Sequence, residues 1–188
     1  SDLEHVRDMR DIFVDRVQGA STDNMPDEVK LEGYAQFLDS SSVQVGDTVV
    51  RAKSFVIATG TRPIVPSAWK KFGDKILTTD EIFEQENLPE SMAIIGLGVI
   101  GLELGQALSR KGIKVTGVEG SDRIASLTDE VANDVALQLL RKEFDIWLGE
   151  QATLEEAGDQ IKVTAGEQSV VVDKVLVAIG RKPNLDNL

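Results

Sequence analysis

Gly96, Gly98, Gly101 and Glu119 are the residues of this 188-residue chain whose types and spacing point to chemistry. The glycines stand as Gly-x-Gly-x-x-Gly directly after the short apolar run 92–95. A helical pattern then runs to Arg110, with Leu104, Ala107 and Leu108 on one face, and Gly112 stops it. A second apolar run ends in Glu119, 18 residues after Gly101. Strand, glycine turn, helix, strand and acid in this order make a dinucleotide-binding unit. Gly96 permits the sharp turn, Gly98 lets a pyrophosphate reach the backbone, and Gly101 lets the helix pack on the strand. The first N–H groups of the helix, with its positive dipole end, suit phosphates. Glu119 would accept hydrogen bonds from ribose hydroxyls and repel a 2′-phosphate, so the site should prefer NAD over NADP. The alternative is that the glycines serve only packing and Glu119 is merely solvated.

The elements that must position these residues are partly repeated. Residues 43–63 and 163–183 align without a gap at an offset of 120. Gly46 pairs with Gly166, Ala58 with Ala178, Gly60 with Gly180 and Pro63 with Pro183. In each copy a hairpin turn (Gly46-Asp47, Gly166-Glu167) precedes a more continuous apolar strand that ends in glycine. The runs 55–58 and 175–179 are expected as central strands of buried parallel sheets. Such a repeat indicates two related structural units. Only the second is preceded by the glycine unit, Gly96 lying 70 residues before Gly166, and the chain begins without Met. A segment of a longer protein with two nucleotide-binding units is therefore expected; the other reading is a complete protein with a degenerate first unit.

The remaining pattern is expected to give an amphipathic helix over 3–18 with Leu3, Val6, Met9, Phe13 and Val17 on its apolar stripe. A turn follows at 21–26, then a strand over 29–38 around Gly33. Arg62 and Pro63 mark a boundary. Thr78 and Glu81 read as a capping box opening a short helix through Phe83. Thr128 would cap a helix to Glu143 with Val131, Val135, Leu139 and Leu140 inward; Asp129 and Glu130 suit its N-terminus. Residues 144–148 form a further strand, and Trp69 and Trp147 serve packing. Glu155, Glu156 and the tail 184–188 are expected in solvated loops.

Composition excludes several classes. A net charge of −12 argues against nucleic acid. No apolar run approaches the roughly 20 residues of a membrane span, and the charged residues 1–11 do not read as a secretory signal. The chain has no cysteine, hence no disulfide, thiolate nucleophile or cysteine metal site. Its one histidine, His5, sits among charged residues and reads as a surface group. Neither a catalytic residue nor a metal ligand is identified.

The stretches V-I-A-T-G-T-R-P (56–63), L-P-E-S-M-A-I-I-G-L-G-V-I-G-L-E-L-G (88–105), V-T-G-V-E-G-S-D-R-I (115–124) and V-A-I-G-R-K-P-N (177–184) occur in one order. In them the chain resembles the pyridine nucleotide–disulfide oxidoreductases, and within that family the dihydrolipoamide dehydrogenase branch. The resemblance implies an α/β fold: a Rossmann-like NAD-binding domain, with a central parallel sheet plus a β-meander, and part of a similar FAD-binding domain. It places residues 1–62 in the FAD domain and 63–188 in the NAD domain. It implies that Thr59 and Gly60 lie against FAD, and that Gly180 lies by the nicotinamide nucleotide. Gly96, Gly98, Val99, Ile100, Gly101, Glu119 and Gly120 would hold NAD. Val99 matches the NAD-using branch. Glu103 matches an acid near the meeting point of flavin and nicotinamide, or is an ordinary helix acid. Arg123 would touch the adenosine or simply the surface. The whole protein would then move electrons between a dithiol/disulfide and NAD through FAD, in the cytoplasm and as a homodimer formed by a domain outside this segment. The family's redox cysteines, base and first flavin fingerprint are absent from these residues, so the segment alone is expected to be inactive. The alternatives are the same framework with another acceptor (an NADH oxidase, transhydrogenase or mercuric reductase), or a non-catalytic nucleotide-binding module.

Overall fold

A computed structural model describes residues 2–21 and 23–188. Thr22, within the expected turn 21–26, lies outside the described residues. The chain divides into two compact units. One runs through Arg62 and takes in Lys182–Leu188; the other is Pro63–Arg181. The tail Lys182–Leu188 therefore groups with the first unit.

In the smaller unit, helix α1 (Asp2–Ser21) forms as the apolar spacing demands. Most of its stripe stays exposed, Phe13 at 66% and Met9 at 59%, and His5 of the same helix is exposed. Strands β1 (Ala35–Asp39), β2 (Ser42–Val45) and β3 (Thr48–Arg51) make an antiparallel sheet. Val45 pairs with Thr48, which leaves the two-residue loop Gly46-Asp47. Gly46 takes φ +58° there, as a tight hairpin requires. At the β1–β2 turn Asp39 accepts the Ser42 and Ser41 hydroxyls at 2.6 and 2.8 Å. These bonds, with the Ser41 N–H, hold its carboxyl down at about 2.

Two expected strands in this unit differ. The strand over 29–38 shrinks to β1, because Asp27–Val29 closes a 3-10 turn and Gly33 sits at φ +149°. Residues 55–58 form no strand. Val56 is 94% exposed, and the Phe55 ring meets Phe37 edge-on, 5.1 Å between centroids. A strand needs neighbours to take its N–H and C=O groups. Among the described residues nothing pairs with 55–58, whereas its repeat counterpart has a neighbour on each side.

Short strands β4 (Thr61–Pro63) and, at the other crossing, residues 181–183 carry the chain between the units. The larger unit holds a five-stranded parallel sheet made of β5 (Ile76–Leu77), β6 (Ser91–Ile95), β7 (Lys114–Glu119), β8 (Asp145–Leu148) and, later in the chain, Lys174–Val177. Helix α2 (Val99–Arg110) joins β6 to β7, and α3 (Glu130–Leu140) joins β7 to β8. A three-stranded antiparallel meander, β9 (Thr153–Ala157), β10 (Gln160–Ala165) and β11 (Gln168–Val172), precedes the last parallel strand, β12 (Lys174–Val177). The final strand, β13, is Arg181–Pro183. The sheet order is β5-β12-β6-β7-β8.

Both faces of the sheet are covered, as a parallel sheet requires. Met92, Ile94 and Leu176 pack with Leu102, Leu108 and Leu137 of the helices. Ala93, Ile95, Val175 and Val177 pack with Ile161, Val163 and Val172 of the meander. The alternation follows from the two-residue period of a strand. Met92, Ile94 and Leu176 are fully buried, each contributing about 1.5–3 kcal/mol. Trp69 and Trp147 pack partly buried on the meander side. One polar clasp joins the two layers. Asp173 accepts the Ser91 N–H and hydroxyl at 2.9 and 2.8 Å and the Gln160 amide at 2.8 Å.

Local details depart from the periodic pattern. In α2 the buried face is Gly101, Leu102, Gly105 and Leu108, while Ala107 is exposed and Leu104 half-buried. The cap of α3 is Asp129, which accepts the Ala132 N–H at 2.8 Å; Thr128 instead offers its carbonyl to Arg123 at 2.7 Å. The inward face of α3 is Asn133 and Leu137, with Ala136 and Leu140 against the core. Val131, Val135 and Leu139 lie outward, 73%, 50% and 57% exposed. Helical spacing allows either stripe, and the Asn133 side chain decides by accepting the Ile124 N–H at 3.1 Å. Glu81 does accept the Thr78 N–H at 2.7 Å, but only the 3-10 turn Ile82–Glu84 follows. Glu155 and Glu156 belong to β9 rather than a loop, and both are exposed.

Candidate functional site

The sheet order reverses beside β6: β7 and β8 lie to one side, β12 and β5 to the other. In such sheets ligands bind beyond the carboxyl ends of the strands at the reversal. A cavity of about 540 Å³ opens there, lined by Ile95 and Gly96 at the end of β6, Val118 and Glu119 of β7, and residues 177–180 at the end of β12. Gly98, Val99, Ile100, Gly120, Gln151, Thr79 and Arg181 complete its wall.

Each glycine of the turn has a different reason to be glycine. Gly96 takes φ +95°, and a Cβ there would lie 2.6 Å from the Ala178 carbonyl oxygen. At Gly101 a Cβ would collide with the Gly96 carbonyl, so the bare residue sets how closely α2 approaches the end of β6. At Gly98, the residue before the first turn of α2, a Cβ would meet nothing within 4 Å. Its bareness serves no internal packing and leaves backbone open to the cavity. The first N–H groups of α2 have no acceptor within the helix, and they belong to a turn whose residues Val99 and Ile100 line the cavity.

Glu119 stands half-buried at the tip of β7. One carboxylate oxygen accepts the Leu97 N–H at 2.7 Å, and the other the Ser121 N–H at 3.2 Å. A carboxylate has about four acceptor sites, so two remain for a ligand. Arg181 is the other charged residue of the wall; it donates to Thr79 and Asp80, both at 3.0 Å.

The structure thus brings together Gly96, Gly98, Val99, Ile100, Glu119, Gly120 and Gly180, with Gly101 directly behind them. Glu103 is exposed on α2 and does not line the cavity. Thr59 and Gly60 belong to the smaller unit. There Thr59 donates its hydroxyl to the Asn184 carbonyl at 2.7 Å, and Gly60 accepts the Asn184 N–H at 3.0 Å. Thr59 also lines that unit's own cavity of about 420 Å³, with Tyr34, Arg62 and Asp186; Arg62 and Asp186 form an ion pair. Sequence reasoning did not find Gln151, Thr79, Ala178 or Arg181. Ala178 carried a signal as the counterpart of Ala58 in the repeat, and Arg181 lay in the stretch 177–184. Among the described residues no group of three or more His, Asp or Glu is placed to hold a metal. No described helix is long and apolar enough to cross a membrane.

The family model of the pyridine nucleotide-disulphide oxidoreductases matches residues 3–188. The chain belongs to that family. A mercuric reductase of Lysinibacillus sphaericus is 30% identical over 196 residues, covering 100% of this chain and 36% of its own length. A dihydrolipoyl dehydrogenase of Bacillus subtilis strain 168 is 33% identical over 184 residues, covering 92% of this chain and 38% of its own length. The chain thus spans little more than a third of these curated relatives. The solved structure of the HOCl-induced flavoprotein disulfide reductase RclA of Escherichia coli, in its Cu(II) complex, superposes with a TM-score of 0.80. It covers 99% of this chain and 46% of that one at 23% identity, which shows the shared fold. Membership makes this chain part of an oxidoreductase family that uses FAD and pyridine nucleotides. Identities of 30% and 33% do not separate the mercuric reductase branch from the dihydrolipoyl dehydrogenase branch.

Proposed function

We propose that Pro63–Arg181 is the NAD(H)-binding unit of a FAD-dependent pyridine nucleotide–disulfide oxidoreductase, and that the smaller unit belongs to its flavin-binding side. The observation that carries this reading is the pairing of an open Gly98 with Glu119 in one cavity at the sheet reversal. The cavity's size falls within the roughly 300–1,000 Å³ of small-ligand sites. The pyrophosphate would lie along Gly98, Val99 and Ile100, held by the first N–H groups of α2. The two remaining acceptor sites of Glu119 would take the adenosine ribose hydroxyls, and its charge would repel a 2′-phosphate. Gly180, at φ +116°, would let the nicotinamide half approach the backbone after β12. The nicotinamide, once bound, supplies the hydride chemistry; these residues bind and orient it.

The flavin side fits only in part. Thr59 and Gly60 are exposed, and among the described residues of the smaller unit no helix follows a glycine turn that could hold a pyrophosphate. The 188 residues hold no cysteine, so thiol–disulfide exchange is not within their chemistry. For the whole enzyme, the reading is electron transfer between a dithiol/disulfide and NAD through FAD, as in a dihydrolipoamide dehydrogenase. The comparable identity to a mercuric reductase favours the same framework with a different acceptor as a second reading.

Calorimetric titration with NADH tests the binding unit. One site is expected, weakened about tenfold, or ~1.4 kcal/mol, by Gly98→Val. Equal affinity in the variant would remove the glycine turn from the site.

A further inference from the structure

Gly120 and Gln151 meet in the wall of the larger cavity, beside Glu119. A Cβ on Gly120 would collide with the Gln151 side-chain amide, whose carbon would lie 2.9 Å away. Residue 120 does not take a left-handed backbone conformation, so its backbone has no need of glycine. What the missing side chain provides is room for the Gln151 amide. That amide is otherwise unspent: among the described residues no hydrogen bond within the chain uses it. Glu119, by contrast, commits both oxygens to backbone N–H groups. An exposed glutamine on a surface would prefer rotamer freedom; this one is seated over bare backbone, next to the carboxylate assigned to the ribose.

We propose that Gln151 reads the adenine of the bound dinucleotide, its amide donating to N7 and accepting from the N6 amino group. The inference rests on the reading of this cavity as an NAD(H) site. Gly120 and Gln151 line the cavity together with Glu119, so a base carried by a ribose on Glu119 would fall within their reach. The N6/N7 edge of adenine presents one donor and one acceptor side by side, which a planar amide matches in two hydrogen bonds, the pairing by which glutamine recognises adenine in nucleic acids. A hypoxanthine base carries an oxygen in place of the amino group. Its corresponding edge has two acceptors, and the amide's oxygen then faces a like group.

The test is titration of the full chain with NADH and with reduced nicotinamide hypoxanthine dinucleotide. The unmodified chain should bind NADH about tenfold more tightly than the hypoxanthine analogue. Gln151→Leu should bring NADH down to the analogue's affinity and abolish the preference. Gly120→Ala, which pushes the flexible amide aside, should reduce the preference without unfolding the chain. A preference that survives in Gln151→Leu overturns the assignment, as does equal binding of both dinucleotides by the unmodified chain. If NADH itself does not bind, the nucleotide reading of the cavity falls, and the adenine contact falls with it.

Discussion

The Glu119 carboxylate accepts the Leu97 N–H at 2.7 Å, across 22 residues of chain. The bond ties the tip of β7 to the glycine turn between β6 and α2, so the acid assigned to the ribose also helps to hold the loop assigned to the phosphates. On the proposed reading, binding and local stability meet at one side chain.

Glu119→Ala should show both effects. It leaves the Leu97 N–H without its acceptor, at a cost of about 1–3 kcal/mol in stability. NADH affinity should fall by roughly the same amount, because ribose hydroxyls lose their partner. Glu119→Gln keeps an acceptor for Leu97 and should recover most of the stability. Denaturant midpoints and calorimetry on the two variants separate the roles; a full loss of stability in Glu119→Gln would show that the charge, not the hydrogen bond, holds the turn.

Gly101 and Gly98 should respond oppositely to alanine. A Cβ at 101 collides with the Gly96 carbonyl, and overpacking of this kind costs about 1–3 kcal/mol or more. A Cβ at 98 meets nothing within 4 Å, so Gly98→Ala should cost under ~1 kcal/mol, the value of a poorer helix cap. Its effect should appear in NADH affinity. Equal destabilisation of the two variants in thermal melts would contradict the division between a packing glycine and an approach glycine.

Asp173 makes stability depend on pH in the acid range. Hydrogen bonds from the Gln160 amide, then from Ser91, hold its carboxyl below the usual carboxylate range against the opposing effect of burial. A depressed folded value means that the stabilisation is complete above the unfolded value, about 4, and is lost as the pH falls through the folded value. Asp173→Asn should cost about 1–2 kcal/mol at neutral pH and flatten the acid limb of the stability–pH curve. An unchanged acid limb in the variant would assign that dependence to other carboxylates.

The legible part of the fold was the part that encodes itself locally. The glycine unit from β6 to Glu119 could be read because each position meets a backbone or packing demand inside a stretch of some thirty residues. The two-residue hairpins at Gly46 and Gly166 were legible for the same reason, both glycines sitting near φ +57°. Residues 55–58 were not, because an apolar run becomes a strand only where neighbours exist, and the repeat supplied a pattern without the partners. The buried stripe of α3 depended on a single long-range bond, Asn133 to Ile124, which helical spacing cannot reveal. Gln151 escaped notice because its place is set by what Gly120 lacks, and an isolated glutamine after a strand carries no pattern.

Amide hydrogen exchange should separate the well-paired from the poorly paired segments. Met92 to Ile95 and Val175 to Val177 lie in central strands with almost no exposed surface, and should exchange only by the largest opening of their unit. Residues 54–60 have no strand partners and should exchange within the earliest time points. Slow exchange over 54–60 would mean that the segment is paired in solution.

Side-by-side calorimetric titration with NADH and NADPH puts the nucleotide reading to its hardest test. The proposed reading predicts a single NADH site, with NADPH at least about tenfold weaker, or ~1.4 kcal/mol. Absence of NADH binding, or a preference for NADPH, would contradict the assignment of Pro63–Arg181 as an NAD-selective unit.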